Sequence, residues 1–188
     1  MLPVEDISIY PKIATIMKKA TLLIPIALLA LGTIVFSSSK QNEYSASIPG
    51  WYVALEEAEK ISQETGKPIL ANFTGSDWCG WCKVLKREVF ATKKFKEWAA
   101  ENVVLLEVDF PKSFKLPQEI ASQNAGLQRA LRVSGYPTIW VFKTKTNPDT
   151  GGRSLNAMAK MGYLRGGPDI WIPDLQKKID FANKQMEK

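Results

Sequence analysis

Apolar positions between Val53 and Thr65 recur at helical spacing, with Leu55, Ala58 and Ile61 on one face and Gly66 placed to end the helix. The next run, Pro68-Ile69-Leu70-Ala71-Asn72-Phe73, is short and almost continuously apolar, the pattern of a strand buried on both faces. Thr74 to Asp77 is turn chemistry, and Ser76 or Asp77 is positioned to cap the next helix. From Cys79 to Phe90 the period becomes helical again: Cys82, Leu85, Val89 and Phe90 share a face, and Lys83, Lys86, Arg87 and Glu88 lie mostly off it. Thr92 can cap a second short helix, Lys93 to Glu101, that buries Phe95, Trp98 and Ala99. Val103 to Val108 is a second buried strand ending at Asp109, and Phe110 to Glu119, with Pro111 and Pro117, is an irregular loop. A helix over Ile120–Val133 leads to a third strand, Thr138–Lys143. Thr144 to Arg153 is a turn-rich connection, Ala157 to Leu164 a fourth strand, and Pro168 to Lys188 an amphipathic helix with Ile172, Leu175, Ile179 and Phe181 inward. Alternating helices and strands predict an α/β domain over residues 50–188, without internal repeats.

The N-terminal part has a different logic. Ala20 to Phe36 carries no charge, Lys18-Lys19 precede it and Ser37-Ser38-Ser39 come after it, which is the tripartite form of a secretory signal. Residues 1–36 are therefore expected to be an extension plus a signal peptide or membrane anchor, with residues 20–36 near the minimum length for a span. Met17, just before the two lysines, is a second candidate start. No cysteine stands just after the run, which argues against a lipid-anchored protein. Residues 37–49 are polar and expected to be a flexible linker. The expected location is the periplasm, or otherwise outside the cytoplasm, with the inner membrane as a possible anchor. At 45% hydrophobic and 23% charged, the chain can build a core; its net charge of +6 is spread out and leaves no nucleic-acid footprint.

The two cysteines of the chain stand together in Trp78-Cys79-Gly80-Trp81-Cys82-Lys83. A structural metal site needs four ligands, and with no histidine and no third cysteine this pair cannot complete one. As a staple it would close so short a loop that it removes little chain entropy. A redox couple suits it better. Cys79 opens a helix, where unpaired N–H groups and the helix dipole favour the thiolate; Cys82, one turn on, faces the core. This predicts Cys79 as the more exposed, attacking thiol and Cys82 as the resolving one. Two alternatives stay open: a binding module holding a peptide, or copper on the sulfurs with Met158 or Met161, and a structural disulfide that never turns over.

A C-x-x-C opening a helix after a strand, together with Gly135-Tyr136-Pro137-Thr138 opening a later one, resembles the thioredoxin superfamily. Phe73 to Lys83 is similar to its exported bacterial members and to the C-terminal domain of DsbD-type membrane reductases, with Trp81 where thioredoxin has proline. The resemblance implies a thioredoxin-like fold, with a central mixed four-stranded sheet flanked by helices, and thiol–disulfide exchange at Cys79 and Cys82 on protein disulfides or thiols. It implies no cofactor beyond the cysteine pair, a membrane protein as electron donor, and a cis Pro137. Substrate contacts would fall to Trp78, Gly80, Trp81, Tyr136 and Pro137. Two departures stand out. Asn72 occupies the place of the family's buried aspartate, and Leu105 that of its companion lysine. Proton transfer at Cys82 would then need water, Glu107 or Asp77.

Overall fold

The computed structural model describes residues 44–146, 149 and 152–186. The signal or anchor over 20–36, Met17 and the first part of the 37–49 segment lie outside the described residues. Among the described residues five α-helices and four strands follow in the order α1 (Leu55–Thr65), β1 (Ile69–Thr74), α2 (Gly80–Leu85), α3 (Lys93–Asn102), β2 (Val104–Asp109), α4 (Gln118–Ala130), β3 (Thr138–Thr146), β4 (Arg153–Met161) and α5 (Pro168–Met186). The strands form one mixed sheet in the order β2-β1-β3-β4, with β1 parallel to β2 and antiparallel to β3. This is the thioredoxin-like α/β fold expected from the chain.

All six residues of β1 are buried, as a continuous apolar strand between two layers must be. Its side chains alternate between two cores. Ile69, Ala71 and Phe73 pack with α1 and α4, and Leu70 packs with Leu85, Val89 and Phe90 of the Cys-x-x-Cys helix and with α5. The same parity on β2 sends Val104, Leu106 and Val108 to the first core. Asn72, Thr74, Glu107 and Asp109 therefore lie on the face covered by the Cys-x-x-Cys helix. That helix runs past Leu85 through a π-helical turn, Lys86–Phe90, in which the Ala91 N–H donates to the Lys86 carbonyl at 2.8 Å. The widened turn lets the neighbouring Val89 and Phe90 both enter the core.

The structure moves several boundaries. β4 starts at Arg153 and ends at Met161, because pairing with β3 extends out to Thr146 opposite Arg153 and recruits polar residues that hydropathy does not mark. Phe181, expected inward on α5, is 65% exposed, whereas Trp171 on the same helix is fully buried. The described end of the predicted linker is not a free tether. Ile48 is 4% exposed in the core, and Ser47 donates from its N–H and its hydroxyl to the two carboxylate oxygens of Glu107, both at 2.6 Å. Lys86 Nζ donates to the Ser47 carbonyl at 2.5 Å, so residues 44–51 form a strap bound to the domain. Buried acceptors on β2 and one apolar anchor outweigh the polar composition of the segment.

Candidate active site

The residues before the cysteines form a tight turn. The N–H groups of Trp78 and Cys79 both donate to the Gly75 carbonyl, and a Cβ on Gly75 would fall 2.4 Å from the Trp78 ring. Only glycine fits beneath that indole. The helix cap differs from the sequence expectation: neither Ser76 nor Asp77 provides it. Cys79 is itself the N-cap, its Sγ accepting from the Cys82 N–H at 3.2 Å. Ser76 instead donates its N–H and hydroxyl to Asp109, and Asp77 accepts from the N–H groups of Lys112 and Ser113 at 2.9 and 2.5 Å. The acids and hydroxyls of the turn serve the next strand and loop, which leaves the helix start to sulfur.

Cys79 and Cys82 form a disulfide with Cα atoms 5.2 Å apart. The expected contrast in exposure is absent: Cys79 is 6% and Cys82 5% exposed. The bond draws Cys79 Sγ back onto the first turn, where the Cys82 N–H reaches it.

Aromatic side chains close around the pair on two sides. Trp78 donates its indole N–H to the Phe110 carbonyl at 2.8 Å, carries Lys112 Nζ 4.0 Å above its ring and meets Tyr136 edge-on at 5.7 Å between centroids. Tyr136 also packs on Phe110 and accepts a hydrogen bond from Gln128. Its peptide bond to Pro137 is cis. On the far side Trp81, 57% exposed, lies 5.1 Å from Tyr163, whose hydroxyl donates to Glu88 on the Cys-x-x-Cys helix at 2.7 Å. That bond holds the Glu88 carboxyl below its ordinary range. Gly162 links the two sides, since a Cβ there would come within 3.3 Å of the Pro137 carbonyl. Gly80 is exposed, with open space where a side chain would project.

The expected residues Trp78, Cys79, Trp81, Cys82, Tyr136 and Pro137 thus gather in one place. Gly75, Phe110, Lys112, Gly162 and Tyr163 join them unannounced. Phe110 and Lys112 sit in a loop marked only by its prolines. Gly162 and Tyr163 lie just past β4, inside a stretch that hydropathy assigns to the strand. Met158 and Met161, the soft ligands of the copper alternative, are half-buried and pack on the core.

Beneath the helix lies a polar layer. Asn72 pairs in register with Glu107, and its Oδ1 finds no donor among the described residues. Burial pushes the Glu107 carboxyl up, with Ser47 pulling the other way and Asp109 adding to the rise. Tyr44 is pushed well above its usual range by burial and by Asp109 and Glu107. Asp77 is pulled down to about 2, chiefly by its hydrogen bond with Ser113.

A cysteine pair at a helix start in a thioredoxin-like sheet, with a cis-proline following the tyrosine that meets Trp78, defines a thiol–disulfide oxidoreductase. The chain belongs to the thioredoxin-like domain family, which matches residues 55–161. It is 32% identical over 123 residues to the disulfide bond reductase DsbH of Chlamydia pneumoniae, covering 65% of this chain and 69% of that protein. The thiol:disulfide interchange protein DsbD of Yersinia enterocolitica is 28% identical over 105 residues, 56% of this chain but only 17% of that much longer relative. A solved structure described as DsbH oxidoreductase superposes with a TM-score of 0.60 at 26% identity, over 73% of this chain and 93% of that one. Among the described residues no helix is long and apolar enough to cross a membrane.

Proposed function

We propose that the chain is an exported protein-disulfide reductase in which Cys79 attacks and Cys82 resolves. The observation that carries this is Cys79 Sγ at the N-cap, within hydrogen-bond distance of a helix N–H that stabilises sulfur as the thiolate. In the reduced protein the Cys79 thiolate attacks a substrate disulfide. A bond forms between Cys79 Sγ and one substrate sulfur, the substrate S–S bond breaks, and the departing thiolate takes up a proton. Cys82 then loses its proton and attacks Cys79 Sγ, closing the disulfide and releasing the second substrate thiolate. Two electrons pass to the substrate, and a dithiol donor must return two. The name of the DsbH relative supports the reducing direction.

For the proton of Cys82, the two carboxylates that the sequence nominates differ. Asp77, held near 2, is a weak base and turned to the loop. Glu107 lies on the face under the helix with its affinity for protons raised. Glu107 is the better acceptor. The walls of Trp78–Tyr136 and Trp81–Tyr163 would hold a substrate chain across the cis-proline. The basic, apolar and small-residue pattern around residues 18–39 supports export, with cleavage or retention decided by the export machinery.

Equilibration of the Cys79–Cys82 pair with dithiol buffers tests the direction. A reductase is expected between about −280 and −220 mV; a value above about −150 mV would make the pair an oxidant, and one below about −300 mV an inert bridge. Fractionation of an exporting host tests the location: the domain should appear outside the cytoplasm, free if the leader is cleaved and in the membrane fraction if it is kept.

A further inference from the structure

On the sheet face turned away from the cysteines, the end of α4 and the strands β3 and β4 enclose an open groove of about 530 Å³. Trp140 and Leu155 belong to the core layer of this face, while Leu85 and Val89 of the Cys-x-x-Cys helix belong to the other. The groove has an apolar floor that includes Leu131 and Leu155, and a rim with Arg132, Arg153 and Lys160. Among the described residues no acidic side chain lines it. Its size falls in the range of small-ligand sites, and its charge selects an anion.

Three independent features set it apart from an ordinary basic surface. Arg132, just past the end of α4, has φ of 49°, in the left-handed region. Glycine or asparagine holds that conformation at a helix end with less strain, so arginine here works against the fold while bringing a guanidinium to the rim. Next, β4 carries a bulge: Val141 pairs with Ala159 and Phe142 with Ala157, leaving Met158 without a partner. Without that extra residue strand alternation would send Leu155 and Lys160 to opposite faces; with it both line the groove. Finally, Trp140 lies under Lys160 Nζ at 5.3 Å, and its indole N–H is buried with no acceptor among the described residues. Buried donors are seldom left so.

We propose that this groove binds a small organic anion, a phosphate or carboxylate carried on an apolar or aromatic body. Arg132 and Lys160 take the charged group, and Leu131, Leu155 and the Trp140 ring take the body. Arg153 is already engaged through Nε with Glu59 Oε1 at 2.7 Å and holds the rim in place. The site stands apart from the thiol chemistry, so ligand binding and disulfide exchange can be read separately.

The test tracks the indole N–H signals of the oxidised protein by NMR, with Trp140→Phe assigning the relevant one, during titration with phenyl phosphate, inorganic phosphate and phenol. Phenyl phosphate should shift the Trp140 signal saturably and bind at least tenfold tighter than either fragment. Arg132→Gly should weaken that binding at least tenfold without lowering the melting temperature or the rate of exchange with a small disulfide; Lys160→Gln should also weaken it. Equal binding of inorganic phosphate, which would mean a cation patch only, overturns the proposal. So does the lack of a saturable shift, or wild-type affinity in Arg132→Gly.

Discussion

Cys79 and Cys82 are nearly equal in exposure, so the division of roles proposed for them rests on position along the helix. Cys82→Ser should leave an attacking thiolate that cannot be released, and covalent complexes with substrate proteins should accumulate on non-reducing gels. Cys79→Ser should give almost none. Alkylation of the reduced protein at about pH 6, well below the free-thiol value of about 8.5, should modify Cys79 first because its thiolate is favoured there. Equal trapping by both variants would show that the roles are not divided this way. Asn72 invites a second experiment. With Glu107 opposite it in register and Asp109 on the same face, Asn72→Asp would bury another carboxylate beside two. It should lower the melting temperature without speeding substrate release, whereas Glu107→Gln should slow release in single-turnover measurements. A faster Asn72→Asp enzyme would mean that Glu107 does not serve Cys82.

At the scale of elements, the turn before α2 and the Phe110–Pro117 loop form one unit. Trp78 is held by the Phe110 carbonyl, by Lys112 and by Tyr136, and Asp77 by two N–H groups of the loop. Gly75→Ala would drive a methyl into the indole and should cost about 1–3 kcal/mol in denaturant unfolding, as overpacking does. It should also change the fluorescence of Trp78 on reduction. A fully stable variant with wild-type exchange rates would show that the ring moves aside freely. Thr92, whose hydroxyl accepts from the Phe95 N–H at 3.2 Å, is an ordinary cap by comparison, and Thr92→Ala should cost about 1 kcal/mol with no effect on exchange.

At the scale of the whole molecule, acids shifted in opposite directions shape the response to pH, among them Glu107 and Asp77. Glu107 has its folded value raised above 4.5, so the folded state holds this proton more tightly than the unfolded chain does. Its contribution is fully present below 4.5 and is lost as pH rises through the folded value. Asp77 is the reverse: its folded value of about 2 lies below 3.8, so its contribution is present above 3.8 and is lost as pH falls through 2. Unfolding curves of the wild type should therefore show stability declining on the alkaline side of 4.5 by more than in Glu107→Gln. That variant keeps an acceptor for the Ser47 N–H and should flatten the slope. Identical slopes would mean that Glu107 titrates as an exposed carboxyl does.

Much of this protein is legible along the chain because the signals are local. The buried β1, the turn at Thr74–Asp77 and the helix after it depend on neighbours a few residues away, and so does the place of Cys79 at a helix start. Tyr136-Pro137 is likewise visible as a dipeptide entering a strand. What tertiary structure alone decided is which distant groups meet. Sulfur caps the helix because Asp109 and the 112–113 amides claim Ser76 and Asp77. Gly162 and Tyr163 reach the site because β4 ends beside Pro137. Residues 44–48 are bound because Glu107 and the core offer partners that no local pattern encodes. Hydropathy records what each residue prefers to leave behind in water; it holds no record of the partner that a buried polar group will find.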